Sequence, residues 1–221
     1  MSVNKYLTED GSGNFQKWHV PDLVPRSAAD AKNVELLFVL ESPHVTELRT
    51  GIPVTGLAGR DALRYLLSDP ASPRTLGQVV QDKHDAVDYQ VGIMNVSCVP
   101  MQEKAHKNTT GPSLSSIDWA LIKRARNSRA STVNMTRNLA MNVVGDALLQ
   151  HLQGRVGSLT TSGLTLVAGG KFAQRYCRPV ASNLGIALLC VPHPSFGYWN
   201  RPAYSQHPDL MKTRELFLQW A

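Results

Sequence analysis

Four short apolar runs, each followed by a polar or glycine-containing turn, constrain the fold of this chain more than any other feature. The runs cover residues 34–40, 90–96, 164–168 and 184–191. Each has the length of a buried strand, and helix-like apolar spacing separates them. Strands that alternate with helices form a mostly parallel sheet covered by helices on both faces. The sequence therefore predicts an α/β fold, a three-layer α/β/α sandwich around a central, mostly parallel four-stranded sheet.

The apolar spacing between and after these runs predicts helices. They are expected over residues 61–67, 76–87, 138–153, 171–176 and 208–220. Residues 1–32 carry several glycines and prolines and are expected to be irregular, with Trp18 anchoring them on the body. A chain of 221 residues with 43% hydrophobic content suits one compact domain, so we predict a single domain over residues 1–221.

The charge balance favours a polyanionic partner. The chain carries 23 Lys and Arg against 17 Asp and Glu, a formal net charge of +6. A basic surface is typical of nucleic-acid binding, although many other proteins are equally basic. The densest basic segment is either a solvated helix face with a loop or a contact surface for phosphates. Its basic residues are Lys123, Arg124, Arg126, Arg129 and Arg137.

The cysteines and the hydropathy of the chain indicate the cellular compartment in which we expect the protein. Cys98, Cys177 and Cys190 are widely spaced and include no Cys-x-x-Cys pair. This pattern argues against a disulfide framework, and against a zinc or iron–sulfur site, which usually needs about four close ligands. No apolar run approaches the roughly 18 residues that span a bilayer, and the N-terminus lacks a signal-peptide core. We expect a cytoplasmic protein with no membrane partner.

Polar side chains stand where the predicted strands end, and the ends of parallel strands meet at one edge of a sheet. The first run leads into Glu41 and His44, the second contains Asn95, and the fourth leads into His193. Glu41 could activate a water, His193 could donate to a leaving group, and the amide of Asn95 both donates and accepts. Each residue alone also fits a cap or a turn. Their joint placement favours a functional cleft.

Two glycines, Gly169 and Gly170, follow the third run and lead into a predicted helix that begins with Lys171. The free N–H groups at such a helix start can bind a phosphate. Close packing of helix and strand is the alternative reason for glycine at this position.

Three aromatic residues lie within four positions in the loop after His193. They are Phe196, Tyr198 and Trp199. The loop is either a hydrophobic plug packed on the body or an exposed wedge that enters a base stack, with Arg201 touching a phosphate. Enzymes that act on a base in duplex DNA must extrude that base and support the gap that it leaves.

These segments, in their order along the chain, resemble the motifs of the uracil-DNA glycosylase superfamily. The resemblance is closest to the branch whose first motif is Gly-Glu-Ala-Pro-Gly, which reads here Leu40-Glu41-Ser42-Pro43-His44. The family's Gly-x-Pro-Phe-x-Gly-x-Ala-Gly reads here GIPVTGLAG over residues 51–59. A strand ending in Asn matches residues 94–100, the strand-glycine-helix segment matches residues 166–176, and the final motif is His193-Pro194-Ser195.

The resemblance implies a monofunctional DNA glycosylase that flips out a base, hydrolyses its N-glycosidic bond and leaves an abasic site, without cofactor or metal. Glu41 would position water or stabilise the sugar cation, His193 would stabilise the departing base anion, and Asn95 would read the base edge. The residues implied around the base are Ser42, Pro43, His44, Val54 and Gly56. Those implied at DNA are Gly170, Lys171, Ser195, Phe196, Tyr198, Trp199 and Arg201. The implied partner is double-stranded DNA, with single-stranded DNA as the alternative, and the chain is expected to be a monomer.

The departures from the family pattern bear on the substrate. Val54 stands where the family has an aromatic ring that stacks on uracil, and His44 replaces a small glycine. Only Cys98 matches a cysteine of the iron–sulfur branch, so no cluster is expected. No lysine stands at a motif position, so no lyase step is expected.

A missing stacking ring favours a modified pyrimidine as the substrate. One such base is glucosylated hydroxymethylcytosine in phage DNA, which a branch of this superfamily excises in bacterial defence. The alternatives are a uracil-DNA glycosylase of base-excision repair, a catalytically silent DNA-binding module of the same fold, and a small-molecule hydrolase that uses the same cleft.

Overall fold

The central sheet has four strands, all parallel, in the spatial order β2-β1-β3-β4. A computed structural model describes residues 3–106, 111–128, 139–159 and 163–221. Each strand lies largely within one of the four predicted runs, and the predicted α/β/α sandwich is confirmed. The strands are β1 Leu36–Leu40, β2 Val91–Asn95, β3 Thr165–Gly169 and β4 Ala187–Val191.

Helices connect the strands and cover both faces of the sheet. The α-helices are α1 Val3–Leu7, α2 Ala28–Ala31, α3 Val45–Thr50, α4 Leu57–Leu67, α5 Leu76–Asp85, α6 Ser116–Asn127, α7 Leu139–Gly157, α8 Gly170–Leu184, α9 Pro202–Ser205 and α10 Pro208–Trp220. Short 3-10 turns lie at Gln16–Trp18, Glu103–His106 and Ser195–Asn200. Among the described residues, no helix is both long and apolar enough to cross a lipid bilayer.

The strand order decides which face each helix covers. The chain moves from β1 to one neighbour, β2, and then crosses to β3 on the other side of β1. Parallel crossovers are almost always right-handed, so a reversal of direction moves the connection to the opposite face. Accordingly α4 and α5 pack on one face and α6, α7 and α8 on the other. The reversal also opens a crevice beyond the ends of β1 and β3, where α/β proteins bind ligands.

Side chains of β1 alternate between the two faces, as the pleat of a strand requires. Phe38 and Leu40 join the core with α4, α5 and α10, whereas Leu37 and Val39 join the core with α7 and α8. All five residues of β1 are buried. Burial on both faces explains why this strand reads as a continuous apolar run rather than as an alternating one.

The N-terminal segment differs from the prediction of an irregular 1–32. It contains two short α-helices and a 3-10 turn, and several of its side chains are buried in the core. The hydroxyl of Tyr6 donates to the carbonyl of Pro100 at 2.7 Å. Trp18 is buried, which confirms its predicted role as an anchor. The helices are only four to five residues long, too short for an apolar period to be visible in the sequence.

Several helix boundaries differ from the sequence-based ranges, most of all that of α8, which was predicted over residues 171–176 and runs to Leu184. Leu184 was assigned to the fourth strand, but it ends α8, and Gly185 closes that helix with φ of 66°. Ala187 then begins β4. Helix α4 begins at Leu57, four residues before the predicted start, because the glycine-rich turn winds into its first turn. A left-handed glycine after the last helical residue is a frequent helix stop, and it explains the first difference.

The turn around Val54 is clamped between the starts of two helices. Val54 has φ of 57°, a left-handed conformation that is unusual for a β-branched residue. A Cβ on residue 59 would lie 1.8 Å from the carbonyl oxygen of Val54, and a Cβ on residue 77 would lie 2.0 Å from that of Pro53. Gly59 and Gly77 therefore allow α4 and α5 to approach this turn at distances that no other residue permits.

Both edges of the sheet have hydrogen-bond partners outside it. Along β2, Leu23 forms an antiparallel bridge with Ile93, with N···O distances of 2.8 and 2.9 Å. Along β4, the N–H of Cys190 donates to the Asp209 carboxylate from α10 at 2.7 Å. These contacts occupy edge groups that would otherwise face solvent.

We predict that Gly59→Ala lowers the free energy of unfolding by about 1–3 kcal/mol, because the added methyl collides with a backbone carbonyl that cannot move freely. Urea unfolding followed by circular dichroism measures this change. Gly154→Ala in α7 is the matched control, since a Cβ there meets no atom within 4 Å. It is expected to raise stability by up to about 1 kcal/mol through helix propensity. Equal effects of the two substitutions would contradict the clamp.

Candidate active site

The register of the sheet brings the predicted strand-end residues to one edge. Leu40 pairs with Asn95, and Gly169 pairs with Val191. Glu41 directly follows Leu40, and His193 lies two residues beyond Val191. The carboxylate and the amide thus come from neighbouring strand ends, and the imidazole comes from the same edge of the sheet with β3 between β1 and β4.

Glu41 is fixed at this edge through its backbone and its side chain. Its carbonyl accepts a hydrogen bond from the N–H of Ser97 at 3.1 Å. Its Oε1 atom forms an ion pair with Nε of Arg126, a residue of the last turn of α6. The side chains are 17% and 30% exposed, respectively. The carboxylate is therefore held in a defined position and is still accessible from the cleft.

His193 is arranged as a neutral hydrogen-bond donor. Its Nδ1 atom accepts a hydrogen bond from the N–H of Ser195 at 3.1 Å. A ring nitrogen that accepts carries no proton, so the neutral ring has its proton on Nε2. Burial lowers the pKa of His193 below its ordinary value, and the positive charge of Arg126 lowers that pKa further. At neutral pH the ring can thus donate Nε2–H without carrying a charge.

Gly170 packs directly against the side chain of His193. A Cβ on residue 170 would lie 2.9 Å from Cβ of His193, and Gly170 has φ of 88°. Both facts require glycine at this position. Gly170 is buried, so the structure favours close packing over an open phosphate contact here, whereas the side chain of Lys171 is exposed.

Asn95 is buried, with 2% of its surface exposed, at the end of β2. Among the described residues, its side-chain amide has no hydrogen-bond partner. Neither amide atom of Asn95 is among the fully buried polar atoms that lack a partner, so the amide reaches the cleft and is free to hydrogen-bond a ligand or a water. An amide offers both a donor and an acceptor, which is what the edge of a nucleobase requires.

The backbone at Asn95 is held by a half-buried ion pair. Nη2 of Arg155, from α7, donates to the carbonyls of Asn95 and Val96 at 2.8 and 2.9 Å. Nη1 of Arg155 contacts both carboxylate oxygens of Asp22 at 2.7 and 2.8 Å. The strand end that carries the amide is therefore fixed by contacts that leave the amide itself unused.

The carboxylate of Glu47 orders the loop that runs from the first motif to Val54. Glu47 had no role in the predicted site. Oε2 of Glu47 accepts from the N–H of His44 at 2.7 Å, and Oε1 accepts from the N–H of Val54 at 2.6 Å. Burial raises the pKa of Glu47, and these two hydrogen bonds oppose that rise. Both oxygens have backbone partners, so Glu47 shapes the loop. The spacing of His44 and Glu47, that of a helix capping box, was the available signal.

The other residues of this motif divide between the surface and the interior. The hydroxyl of Ser42 accepts from the N–H of Met101 at 3.3 Å, and Pro43 is buried. His44 is exposed beside the cleft. Its pKa is lowered by desolvation and then by the positive charges of Lys104 and Arg126. His44 and Ser42 therefore stay near the site, whereas Pro43 packs beneath it.

Val54 lies in the core beneath the cleft. It is 2% exposed and lines a small apolar cavity, about 10 Å³ in volume, together with Leu40, Pro194 and Trp199. A cavity of this volume holds about one water molecule and is far too small for a base. The side chain of Val54 therefore does not contact an open substrate pocket, contrary to the expectation for it. Gly56 caps the start of α4 and has open space around it.

The aromatic loop places its three rings in different environments. Trp199 follows the plug alternative rather than the wedge and DNA contact implied for it, since it is 2% exposed and its Nε1 donates to the carbonyl of Pro192 at 2.7 Å. Trp199 is thus part of the core. Phe196 is 78% exposed and stands at the tip of the loop, while Tyr198 is half-buried. The structure therefore divides the predicted wedge into an apolar tip, Phe196, and an anchor, Trp199.

The backbone of the loop over residues 195–201 has two left-handed residues and is held by hydrogen bonds from both sides. Phe196 and Gly197 both have left-handed φ, 60° and 65°. The carboxylate of Asp61 on α4 accepts from the N–H of Gly197 at 3.0 Å, and Arg201 donates to the carbonyl of Phe196 at 2.8 Å. The guanidinium of Arg201 also lies 4.7 Å from the ring of Tyr198. A non-glycine residue held at positive φ is frequently a functional feature.

Exposed basic side chains are present around this edge of the sheet. Lys123 and Arg124 on α6 are exposed, as are Lys104, Lys171 and Arg201. Arg129 and Arg137, part of the predicted basic segment, lie outside the described residues. Within the described ranges, no cluster of three or more His, Cys, Asp or Glu is arranged to hold a metal ion.

Comparison with known sequences adds no assignment to this geometry. The chain matches no protein-family model and no curated protein. The site must therefore be interpreted from the carboxylate, amide and imidazole that the fold brings together.

Proposed function

We propose that this protein is a monofunctional DNA glycosylase that hydrolyses the bond between a base and deoxyribose. The observation that carries the proposal is the unpartnered amide of buried Asn95 at the same sheet edge as Glu41 and a neutral His193. An amide to read a base edge, a carboxylate to hold water and a neutral donor for the leaving group are the parts that this reaction needs. The exposed side chain of Phe196 supplies an apolar ring that can enter a base stack.

The proposed reaction transfers a base from C1′ of the sugar to water. The C1′–N bond breaks, and its electron pair leaves with the base, whose negative charge is stabilised by the Nε2–H donor of His193. Glu41 orients the water and stabilises the cationic sugar, and the water oxygen then bonds to C1′. The water contributes a hydroxyl to the sugar and a proton to the base. The products are an abasic site and a free base.

The proposed substrate is a modified pyrimidine, such as glucosylated hydroxymethylcytosine in phage DNA, which would make the protein an antiviral defence enzyme. Two observations support a base other than plain uracil. No stacking ring can stand at Val54, because that side chain packs in the core. Charged groups stand near this part of the cleft: Arg126 pairs with Glu41, and the charges of Lys104 and Arg126 act on His44. Such groups suit the hydroxyls of a larger, polar substituent better than they suit an unmodified base.

Mass spectrometry of released bases tests the substrate. The purified protein is incubated with uracil-containing DNA and with phage DNA that contains glucosylated hydroxymethylcytosine. We expect release of the modified base and little uracil. Release of uracil alone would assign the protein to base-excision repair. Tight DNA binding without release of either base would support a catalytically silent module.

We predict that Glu41→Gln and His193→Ala each reduce base excision by about 10²-fold or more, because each removes one stabilising contact of the transition state. Single-turnover assays with alkaline cleavage of abasic sites measure the rate, and fluorescence anisotropy measures DNA binding. Binding should stay within about twofold. Glu215→Gln, on the exposed surface of α10, is the control and should keep the full rate. Wild-type rates in both site variants would refute the assignment of these residues.

We predict that Phe196→Ala weakens excision from duplex DNA by about tenfold and excision from single strands far less, because one stacked base contact is worth about 1–3 kcal/mol. Rates on matched duplex and single-stranded substrates measure the difference. Met211→Ala, another exposed apolar side chain, is the control. An equal loss on both substrates would exclude a wedge at Phe196.

Trp199→Ala should behave differently from Phe196→Ala. Trp199 is buried, so its truncation is expected to lower the free energy of unfolding by about 3–5 kcal/mol. Thermal or urea unfolding of the two variants separates the anchor from the tip. Equal unfolding midpoints for them would contradict the division of the loop.

A further inference from the structure

Arg126 forms an ion pair with Glu41, whereas the sequence analysis included it only as part of a basic segment. Its Nε contacts Oε1 of Glu41, and its side chain is only 30% exposed. A guanidinium on the solvent face of a helix would be far more exposed and free to move. This one points from α6 into the edge of the sheet.

A second arginine fixes the helix end that carries Arg126. Arg175, on α8, is 6% exposed. Its Nη1 donates to the carbonyl of Ala125 at 3.0 Å, and its Nη2 donates to the carbonyl of Ser128. These carbonyls flank Arg126 on both sides. Carbonyls at a helix end need partners, and a buried guanidinium that supplies them holds the last turn of α6 in place.

The positive charge of Arg126 acts on more than Glu41. It contributes to the lowered pKa of His193, after burial, and to the lowered pKa of His44, after desolvation and Lys104. One guanidinium thus interacts with the carboxylate and with both imidazoles of the cleft. It is the one group that couples electrostatically to the two proposed catalytic residues in the described part of the chain.

We propose that Arg126 is a positioning residue of the site, whose guanidinium holds the Glu41 carboxylate towards the cleft and so keeps a positive charge at the sheet edge that also carries His193. This inference rests on the proposed glycosylase function for its catalytic consequence. The placement of the guanidinium itself can be tested without any substrate.

The consequence for His193 follows from the hydrogen bond at Nδ1. Protonation of the ring would put a proton on Nδ1, where the N–H of Ser195 now donates, and would break that contact. The active form is therefore the neutral ring, and activity falls as the pH drops through the pKa of His193. A like charge beside the ring disfavours the imidazolium, so Arg126 moves this loss of activity to lower pH.

Other charged groups near the ring do not replace this effect. Glu41 carries the opposite charge and is itself paired with Arg126. His44 follows β1, Lys104 lies in the 3-10 turn Glu103–His106, and Lys171 is exposed at the start of α8. On α4, Asp61 is bonded to the N–H of Gly197. The positive charge that acts on His193 is that of Arg126.

The test compares Arg126→Gln, which removes the charge, with Arg126→Lys, which keeps the charge and removes the planar fork. NMR titration of the imidazole resonances, with His193 assigned through His193→Gln, is performed on the protein without DNA. We expect the His193 midpoint to rise in Arg126→Gln and to stay near the wild-type value in Arg126→Lys. Arg124→Gln removes the same charge from the exposed side of the same helix and should leave the midpoint unchanged. Unfolding midpoints verify that each variant is folded.

Activity supplies the second measurement. The acid limb of the kcat profile should move to higher pH in Arg126→Gln but not in Arg126→Lys. Both variants should lose kcat at neutral pH, up to about 100-fold, because Glu41 is no longer held in position. KM should change little.

Separate results overturn the two proposals. An unchanged His193 midpoint in Arg126→Gln, or equal rises in Arg126→Gln, Arg126→Lys and Arg124→Gln, would overturn the role of Arg126. Failure of the wild-type protein to release any base would overturn the glycosylase function, while the NMR titration would still decide where the charge of Arg126 acts.

Discussion

Hydrogen bonding between four parallel strands, in an order that reverses at β1, is the constraint from which the rest of this structure follows. Parallel pairing aligns the strand ends, and the reversal sends successive helices to opposite faces. A crevice then opens beyond β1 and β3, where no helix can close over the sheet. Glu41, Asn95 and His193 are brought together because each stands at or just after the end of a strand, although up to 152 positions separate them along the chain. The chemistry of the site is thus a consequence of topology rather than of any local motif.

Three arginines hold the backbone and side-chain groups that line this crevice. Arg155 holds the end of β2, Arg175 holds the end of α6, and Arg126 holds the Glu41 carboxylate. Arg155 and Arg175 bind backbone carbonyls, which suits a planar group with five donors, and Arg155 also pairs with Asp22. Within the described part of the chain, the Asn95 amide and the Nε2–H of His193 therefore form no hydrogen bond with the protein. Preorganisation of that kind is how proteins stabilise charge that develops during a reaction.

The elements that could be predicted from the sequence are those in which apolar residues recur in a strand or helix pattern, or in which a glycine or proline marks an end. Strand β1 was recognisable as an unbroken apolar run, and α10 as an amphipathic segment of 13 residues. Helices α1 and α2 could not be recognised, because segments of five and four residues do not show a helical period. The burial of Trp199 was not predictable, since aromatic spacing does not reveal which ring faces the core. The pairing of Arg126 with Glu41 spans 85 positions and depends on how α6 returns to the sheet, so no local pattern encodes it.

The covered edges of the sheet affect whether a second chain can add a strand to it. An exposed edge strand is a template on which another chain can add a strand, and short parallel sheets have two such edges. Here the bridge of Leu23 to β2 and the Asp209 carboxylate at Cys190 of β4 occupy backbone groups on both sides. A strand from a second molecule would have to displace a segment of chain at one edge and the hydrogen bond from Cys190 to the Asp209 carboxylate at the other. The same contacts that finish the fold therefore act against aggregation by strand addition.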